Sequence, residues 1–287
     1  MRGLCLAGGG IKAAAHIGAL KALEEEGIQF DCVSGASSGS IVATMYALGY
    51  TSDEMWEMFK NYAKKIKYFE WKNILKLVWG LLFKRKIVID GLNSGKVIEK
   101  IIKEICSKNQ IENINEIKMP LMISMVGLQN GTVYIASSKE VRGKLLLDNT
   151  KYITDIPIAT AVRASCSFPV VFSPCTYDGI QLIDGGTREN LPWRPLKLIG
   201  VDEVIGIAFD TIYCHKDCCQ DIIEVATRAM ELQGRELAVY EEQGIHHLIN
   251  INLKKVSLLD SSKAEELYKI GYEQAKKQVK QLKNVNI

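Results

Sequence analysis

Residues 30–39 read Phe-Asp-Cys-Val-Ser-Gly-Ala-Ser-Ser-Gly, and the helical pattern that follows reaches about Leu48 before Gly49 ends it. The apolar run Phe30 to Ser34 predicts a short buried strand. Gly35, Ser37 and Gly39 then match G-x-S-x-G, the sharp strand-to-helix turn that exposes a nucleophilic serine. The alternative is an ordinary Gly/Ser turn that caps a helix, and the strand before and helix after favour the nucleophile.

The same alternation comes before this stretch. Gly3 to Ala7 is predicted to be a strand, and the helix after Gly8-Gly9-Gly10 ends at Gly27. Strand, helix, strand and helix in under fifty residues indicate a right-handed βαβ unit with parallel strands.

The three glycines allow successive backbone N–H groups to converge on one negative charge. The negative charge bound there would belong either to an oxyanion or to a phosphate group. Gly8, Gly10 and Ala13 match a dinucleotide fingerprint, which also expects an acid at the far end of the second strand. Asp31 begins that strand and Ser37 follows its end. The oxyanion hole is therefore favoured, and no nucleotide is expected.

The α/β pattern continues to the C-terminus. Thr51 with Glu54 resembles a capping box that opens a helix. The strands Met122–Gly127 and Thr132–Ala136 are predicted to form a hairpin at Asn130-Gly131. Other predicted elements are helices over 97–105, 157–164, 222–242 and from 262, and strands over 170–172, 180–183 and 204–208. With no clear linker, residues 1–287 are predicted to form one α/β domain.

Composition excludes several classes of protein. The 287 residues are 47% hydrophobic and 24% charged, with a net charge of +3, which is ordinary for a globular protein. A disordered, fibrous or polytopic membrane protein is excluded, and the charge gives no indication of nucleic-acid binding. Eight cysteines are too few for a disulfide scaffold. The N-terminal apolar run is too short for a signal peptide, so we expect a cytoplasmic protein.

A base is needed to activate Ser37. The late histidines His215, His246 and His247 lie in no small, turn-rich setting, and His16 is expected to pack locally. Asp184, in Ile183-Asp184-Gly185-Gly186, ends a predicted strand, and the two glycines permit a tight turn. The alternative for Asp184 is simple turn chemistry. Cys214-His215 with Cys218-Cys219 matches no zinc spacing, so no metal is expected.

Together, Gly8-Gly9-Gly10-Ile11-Lys12, Gly35-Ala36-Ser37-Ser38-Gly39 and Asp184-Gly185-Gly186 resemble the patatin-like phospholipase family. Residues 164–174 and 190–192 also resemble the segments around that family's catalytic aspartate, and the likeness covers about residues 2–210.

The resemblance implies a three-layer α/β/α fold with a mainly parallel sheet and a Ser-Asp dyad that hydrolyses acyl esters of lipids without a cofactor. Ser37 would be the nucleophile, Asp184 the base, and Gly9 and Gly10 the oxyanion hole. Lys12 stands where the family usually has Arg, and Ala13 where it usually has Gly. Neither change removes a backbone donor.

Residues 60–86, here called the basic segment, hold nine Lys or Arg residues against one acid, Glu70. Helical spacing puts six apolar residues on one stripe: Trp71, Ile74, Leu75, Val78, Trp79 and Leu82. Lys72 and Lys76 lie off it. This pattern is typical of an interfacial helix on anionic lipid. We expect a lid or membrane-docking helix, and the alternative is a helix whose apolar face packs on the core.

The sequence thus predicts a serine hydrolase of phospholipids or lysophospholipids, in the cytoplasm or peripherally on the inner face of the membrane. Two alternatives stay open. One is a general carboxylesterase or thioesterase with the same dyad, and the other is a catalytically silent lipid-binding module.

Overall fold

A nine-stranded sheet lies at the centre of the protein. The structure is a computed structural model that describes residues 1–67, 69–141, 149–212, 219–254, 256–257 and 259–285. In those ranges the strands are β1 Arg2–Leu6, β2 Cys32–Ala36, β3 Leu121–Gly127, β4 Val133–Ser137, β5 Thr150–Ile153, β6 Cys175–Tyr177, β7 Ile180–Asp184, β8 Glu203–Ile212 and β9 His247–Lys254.

Helices connect and cover these strands. They are α1 Ala13–Glu25, α2 Ser38–Ala47, α3 Ser52–Tyr62, α4 Trp71–Trp79, α5 Lys96–Lys108, α6 Ile158–Ser165, α7 Arg194–Lys197, α8 Ile222–Glu241 and α9 Ala264–Val285. The predicted capping box is present, because Thr51 accepts from the Glu54 backbone and Glu54 accepts from the Thr51 N–H. Gly27 and Gly49, which follow α1 and α2, have the positive φ angles of 72° and 85° expected of helix-ending glycines.

The sheet is mainly parallel, as predicted. Its order is β5-β4-β3-β2-β1-β8-β9, and the run from β3 to β9 is parallel throughout. β4 runs antiparallel to β3 in the hairpin predicted at Asn130-Gly131. β7 also pairs antiparallel with β3 and carries β6 on its other edge.

The two faces of the sheet bury alternate residues of each strand. Leu4 and Leu6 face a large apolar core beneath α1, α2, α5, α6 and α9. Cys5 and Ala7 face a smaller core that includes Trp193 and the short helix α7. The end of α8 lies on this second face, because Glu241 accepts hydrogen bonds there from Leu191 and Trp193. The three-layer α/β/α expectation is confirmed.

Five elements differ from prediction, and three of them, β5, β6 and α7, are short elements that were not predicted. Residues 170–172 form no strand, because Val170 adopts φ 71° and only Phe172 makes an isolated bridge, to Asn93. Strand β9 was not predicted; it extends the sheet beyond β8.

Candidate active site

The glycine loop, Gly8–Lys12, and Ser37 lie at the same edge of the sheet. They follow β1 and β2, which are parallel neighbours with Leu6 opposite Gly35. Because parallel strands end at a common edge, the two motifs come together as a result of the βαβ topology. This edge is where ligands bind in many open α/β sheets.

Ser37 has the strained backbone of a nucleophile elbow. It lies between β2 and α2 with φ 49° and ψ −129°, a conformation that L-residues rarely adopt. Both flanking glycines are required by close approach. A Cβ on Gly35 would lie 2.6 Å from the Gly39 carbonyl oxygen, and one on Gly39 would lie 2.6 Å from the Ala7 carbonyl oxygen. The G-x-S-x-G stretch therefore packs as the motif requires.

Asp184 meets Ser37 because two strands share one edge of β3. β2 pairs with β3 up to Ala36 opposite Ser124, and β7 takes over that edge with Asp184 opposite Met125. Ser37 is the next residue after Ala36. The last residue of β7 is thus brought beside the first residue after β2, although 147 positions separate them in the sequence.

The Asp184 carboxyl group is buried, at 2% exposure, and burial raises its pKa to about 7. The Ser37 hydroxyl and the Gly186 N–H, 2.8 Å from Oδ1, partly oppose that rise. Although Ser37 is close enough to affect the pKa, Asp184 Oδ2 has no hydrogen-bond partner of ordinary geometry among the described residues. Catalytic hydrogen bonds are often loose before substrate binds. Oδ2 is therefore an acceptor suited to receive the Ser37 proton.

The glycine loop presents backbone donors beside Ser37. The Gly8 N–H donates to Asn190 Oδ1 at 3.0 Å. Within the described part of the chain, the Gly9 N–H engages no acceptor. Gly10 adopts the left-handed φ of 59° and begins a 3-10 turn that leads into α1. The Gly9 N–H and the positive end of this helix suit the stabilisation of an oxyanion.

The departures at Lys12 and Ala13 leave the loop intact. Ala13 is the first residue of α1 and is buried. Lys12 is also buried and lines the site. Burial lowers the pKa of its ammonium group, and the acids Glu231 and Asp210 partly oppose that fall.

A cavity of about 840 Å³ opens onto Ser37 and Asp184. One part of its wall is apolar and comes from α2, α3 and α5: Ile41, Met45, Met58, Phe59, Ile98, Ile101, Ile102 and Ile105. Another part is charged and comes from the glycine loop, the end of β8 and α8: Lys12, Asp210, Arg228, Glu231 and Arg235. The cavity is thus amphipathic, with the two candidate catalytic side chains on its wall.

Histidine does not take part at this edge in the described residues. His246 and His247 lie at the start of β9, where His247 pairs with Ile205 near the opposite edge of the sheet. His16 is buried on α1, and its Nε2 lies 2.7 Å from the Ala7 carbonyl oxygen. Burial lowers the pKa of His16 to about 4, so its ring is neutral. His215, Cys214 and Cys218 lie outside the described residues.

Within the described ranges, no three His, Cys, Asp or Glu side chains converge as metal ligands. None of the helices in the same ranges combines the length and apolar character needed to cross a bilayer.

The basic segment forms α4 over Trp71–Trp79, followed by a π-helical turn at Gly80–Lys84. Its apolar stripe faces outward: Trp71 is 73% exposed and Leu82 is 70% exposed. The start of α4 is held in place, because Glu70 donates its N–H to the Leu92 carbonyl and the Asn73 side chain donates to the Gly91 carbonyl. This exposure argues against a helix whose apolar face packs on the core.

Two residues of the site were not singled out from sequence. Ser165, at the end of α6, accepts the Ser37 N–H at 2.9 Å and donates to the Ser124 carbonyl at 2.7 Å. It thereby fixes the strained backbone of Ser37 to β3. Asn190 contacts the glycine loop through Gly8. Both lie in segments quoted for the family resemblance, but their roles depend on contacts distant in sequence.

The chain is similar in sequence to known proteins. The family model described as patatin-like phospholipase matches residues 4–197, more than half of the chain. The uncharacterized protein YqhO of Bacillus subtilis is 33% identical over 193 residues, which are 64% of this chain and 63% of YqhO. Lysophospholipase NTE1 of Meyerozyma guilliermondii is 28% identical over 205 residues, which are 71% of this chain but 12% of that enzyme.

Among solved structures, VipD of Legionella pneumophila aligns with a TM-score of 0.55 and 18% sequence identity. The alignment covers 98% of this chain and 67% of VipD. At this identity the likeness concerns the fold alone. The chain spans less than two thirds of the length of YqhO and about an eighth of NTE1.

Proposed function

The chain belongs to the patatin-like phospholipase family, and we propose that it is a serine acyl-ester hydrolase of phospholipids or lysophospholipids. The observation that carries the proposal is the pairing of a strained serine with a buried carboxyl group. Ser37, at φ 49°, and Asp184, with a pKa raised to about 7, line one amphipathic cavity. A base with a pKa near neutrality is suited to general base catalysis.

The proposed reaction has two halves. Ser37 Oγ attacks the ester carbonyl while Asp184 takes its proton, and the negative charge forms on the carbonyl oxygen. The N–H groups of Gly9 and Gly10 stabilise that oxyanion. The C–O bond to the leaving alcohol breaks, and the alcohol takes the proton from Asp184. Water, deprotonated by Asp184, then attacks the acyl-enzyme and releases the fatty acid and free Ser37.

The lining of the cavity supports a lipid substrate. An acyl chain in the apolar part, between α2, α3 and α5, gains about 0.8 kcal/mol for each methylene group removed from water. The charged part near Lys12 and α8 suits a polar head group. The printed name of the relative NTE1, a lysophospholipase, agrees with this substrate class.

Labelling with a fluorophosphonate probe tests the nucleophile. Wild type should be labelled and Ser37→Ala should not. Ser38→Ala is the matched control, because Ser38 is the buried neighbour and its hydroxyl has no partner among the described residues. It should keep the label. Labelling of Ser37→Ala would overturn the assignment.

Substrate comparison tests the lipid class. Lysophospholipid in mixed micelles should be turned over faster than short soluble esters or acyl thioesters. The reverse order would favour a general carboxylesterase or thioesterase. Folded wild type that neither takes the probe nor hydrolyses any ester, with or without vesicles, would favour a silent lipid-binding module.

The proposal includes peripheral contact with an anionic membrane through α4. Exposed Trp71 and Leu82 would enter the headgroup region while Lys72 and Lys76 contact anionic lipid. The position of α4 beside the cavity is supported by residues 92–93. Their N–H groups donate to the carbonyls of Val170 and Val171, and Val171 lines the cavity.

Vesicle sedimentation tests the contact. Trp71→Ser/Leu82→Ser should lose binding to vesicles that contain an anionic phospholipid and keep hydrolysis of a soluble ester. The control is Ile222→Ser/Val225→Ser, which removes two exposed apolar side chains from α8. Equal loss of binding in both double variants would contradict a specific role for α4.

A further inference from the structure

Asn190 lies between the two loops that carry the proposed chemistry. Its Oδ1 accepts the Gly8 N–H at 3.0 Å. A Cβ added to Gly8 would lie 2.6 Å from the same oxygen, and one added to Gly186 would lie 2.7 Å from it. The side chain therefore fits against the glycine loop on one side and the turn after Asp184 on the other. Glycine at both positions leaves room for it.

Asn190 is itself held by a buried carboxylate. The Glu241 side chain accepts the Asn190 N–H at 2.7 Å and the Leu191 N–H at 3.2 Å, one with each oxygen. The Trp193 indole donates to the Glu241 carbonyl oxygen at 2.5 Å. Burial raises the pKa of the Glu241 carboxyl group to about 7, and the hydrogen bonds from the Asn190 and Leu191 N–H groups partly oppose that rise because they favour the ionised form. The backbone on both sides of the Asn190 side chain is thus fixed by one residue.

Glu241 also anchors the helix that lines the charged part of the cavity. It is the last residue of α8 and the one residue of that helix that is buried. The rest of α8 is exposed or half-exposed. The contacts therefore form a chain from the end of α8 through Glu241 and Asn190 to Gly8.

We propose that Asn190 is a positioning residue for the oxyanion hole. Its side chain fixes Gly8, so that the N–H groups of Gly9 and Gly10 point at the oxygen on which charge develops, and Glu241 holds Asn190 in place. The proposal rests on the acyl-hydrolase function above. Asn190 touches neither the proposed nucleophile's oxygen nor its base through a hydrogen bond, so it acts on the reaction through the glycine loop.

Loss of a positioning asparagine should selectively weaken binding of the transition state. Loss of a merely structural asparagine should not have this selective effect. A trifluoromethyl ketone lipid analogue reports on this directly. Ser37 Oγ adds to its carbonyl carbon, Asp184 takes the proton, and the resulting oxyanion occupies the oxyanion hole. The fatty-acid product reports on ground-state binding in the same cavity.

Asn190→Ala should lower kcat on a soluble ester by about 10- to 100-fold, less than the roughly 100- to 1000-fold lost when an oxyanion donor is itself removed, because the donors stay and only their orientation changes. KM should stay within about twofold. Affinity for the trifluoromethyl ketone should fall by the same factor as kcat, while affinity for the fatty acid stays unchanged. The pH midpoint of kcat should not move, because Asp184 is untouched.

Asn113→Ala is the matched control. Asn113 also bridges distant segments, since its Nδ2 donates to Asp155 at 2.8 Å, and it does not line the cavity. This variant should keep kcat and both affinities.

Glu241→Gln extends the test and covers the case in which Asn190→Ala does not fold. It keeps one acceptor oxygen and should lower kcat and ketone affinity together by a smaller factor. Where both single variants fold, the double variant should be no slower than Asn190→Ala alone, because residues that act in one chain are not additive.

Unchanged kcat in a folded Asn190→Ala or Glu241→Gln would overturn the proposal. Equal losses of ketone and fatty-acid affinity would also overturn it, since they indicate a collapsed cavity. Failure of the acyl-hydrolase function is distinguishable, because it would appear in wild type as the absence of turnover.

Discussion

Helices α2 and α4 are almost equal in length, and the protein uses them in opposite ways. Seven of the ten residues of α2 are buried, and none of the nine residues of α4 is. The sequence of α2 has no marked amphipathic stripe, because neighbours surround it. The sequence of α4 has a clear stripe that the fold leaves in solvent. An apolar face that the chain does not cover itself marks a surface for something outside the chain.

The largest effect is expected at Asp184, the acid beside the start of α2. Asp184→Asn keeps the side-chain volume and the acceptor for Gly186 but cannot take a proton. We expect kcat to fall on the order of 10⁴-fold, as when other hydrolases lose the acid of their catalytic group. Steady-state hydrolysis of a soluble ester measures this. A loss of less than about tenfold would mean that another group is the base.

The same variant should be more stable than wild type at alkaline pH. The folded pKa of Asp184, about 7, lies above its ordinary 3.8, so the folded state keeps a proton that the unfolded state loses. Stability therefore falls as pH rises from about 4 to 7. Asp184→Asn escapes this cost, worth up to about 4 kcal/mol. Its Tm advantage should be absent near pH 4, grow as the pH rises to about 7 and level off above that.

Two glycine substitutions should change stability in opposite directions, one in a buried helix and one in an exposed helix. Gly39→Ala, in α2, puts a Cβ 2.6 Å from the Ala7 carbonyl oxygen and should destabilise the protein by about 3 kcal/mol. Gly234→Ala, in α8, meets nothing within 4 Å and should stabilise it by about 0.5–1 kcal/mol. Urea unfolding measures both. Equal effects would contradict the packing described for α2.

The next effect is on the pH dependence of kcat/KM, which should change about tenfold per pH unit. Because Asp184 must be ionised to take the Ser37 proton, kcat/KM should rise about tenfold per pH unit below about 7 and level off above it. Hydrolysis of an uncharged soluble ester between about pH 5 and 9 measures the profile. A flat profile through pH 7 would show that the acid is not buried as described.

The smallest effect is expected in α4 and the π-helical turn that follows it. Trp71→Ser and Leu82→Ser change exposed side chains and should alter the free energy of unfolding by less than about 0.5 kcal/mol. Ile102→Ala, in the fully buried part of α5, should cost about 2–5 kcal/mol. If the variants at Trp71 and Leu82 cost as much as Ile102→Ala, the apolar stripe is packed against the protein and the contrast drawn between α2 and α4 is wrong.

Much of the fold was predictable because its determinants are local. The turns at Gly27, Gly49 and Asn130-Gly131 follow from glycine chemistry, and the capping box at Thr51 depends on four consecutive residues. The prediction for residues 170–172 was wrong because the β propensity of valine is overridden there by a positive φ at Val170. Strand β9 alternates buried Ile249, Ile251 and Leu253 with more exposed residues, which is the pattern of a strand with one buried face, so a local signal was present there and was overlooked.

The candidate site was predictable only in part, because only some of its contacts are local in sequence. Ser37 and the glycine loop form within one βαβ unit, so a short pattern identifies them. Ser165 and Asn190 reach the site across 128 and 182 residues, and no local pattern encodes those contacts. Strand pairing on β3, which brings Asp184 to Ser37, is equally non-local.

The shared edge of β3 also sets when reactivity can arise during synthesis. A ribosome that has released only the first 150 residues has released the serine and the glycine loop, but not β7. On the proposed mechanism, this nascent chain has no base with which to attack a membrane lipid. The hydrolytic site is completed only when β7 emerges and pairs with β3, after most of the sheet has been translated. The order of the strands along the chain thus delays activity until at least 184 of the 287 residues have been translated.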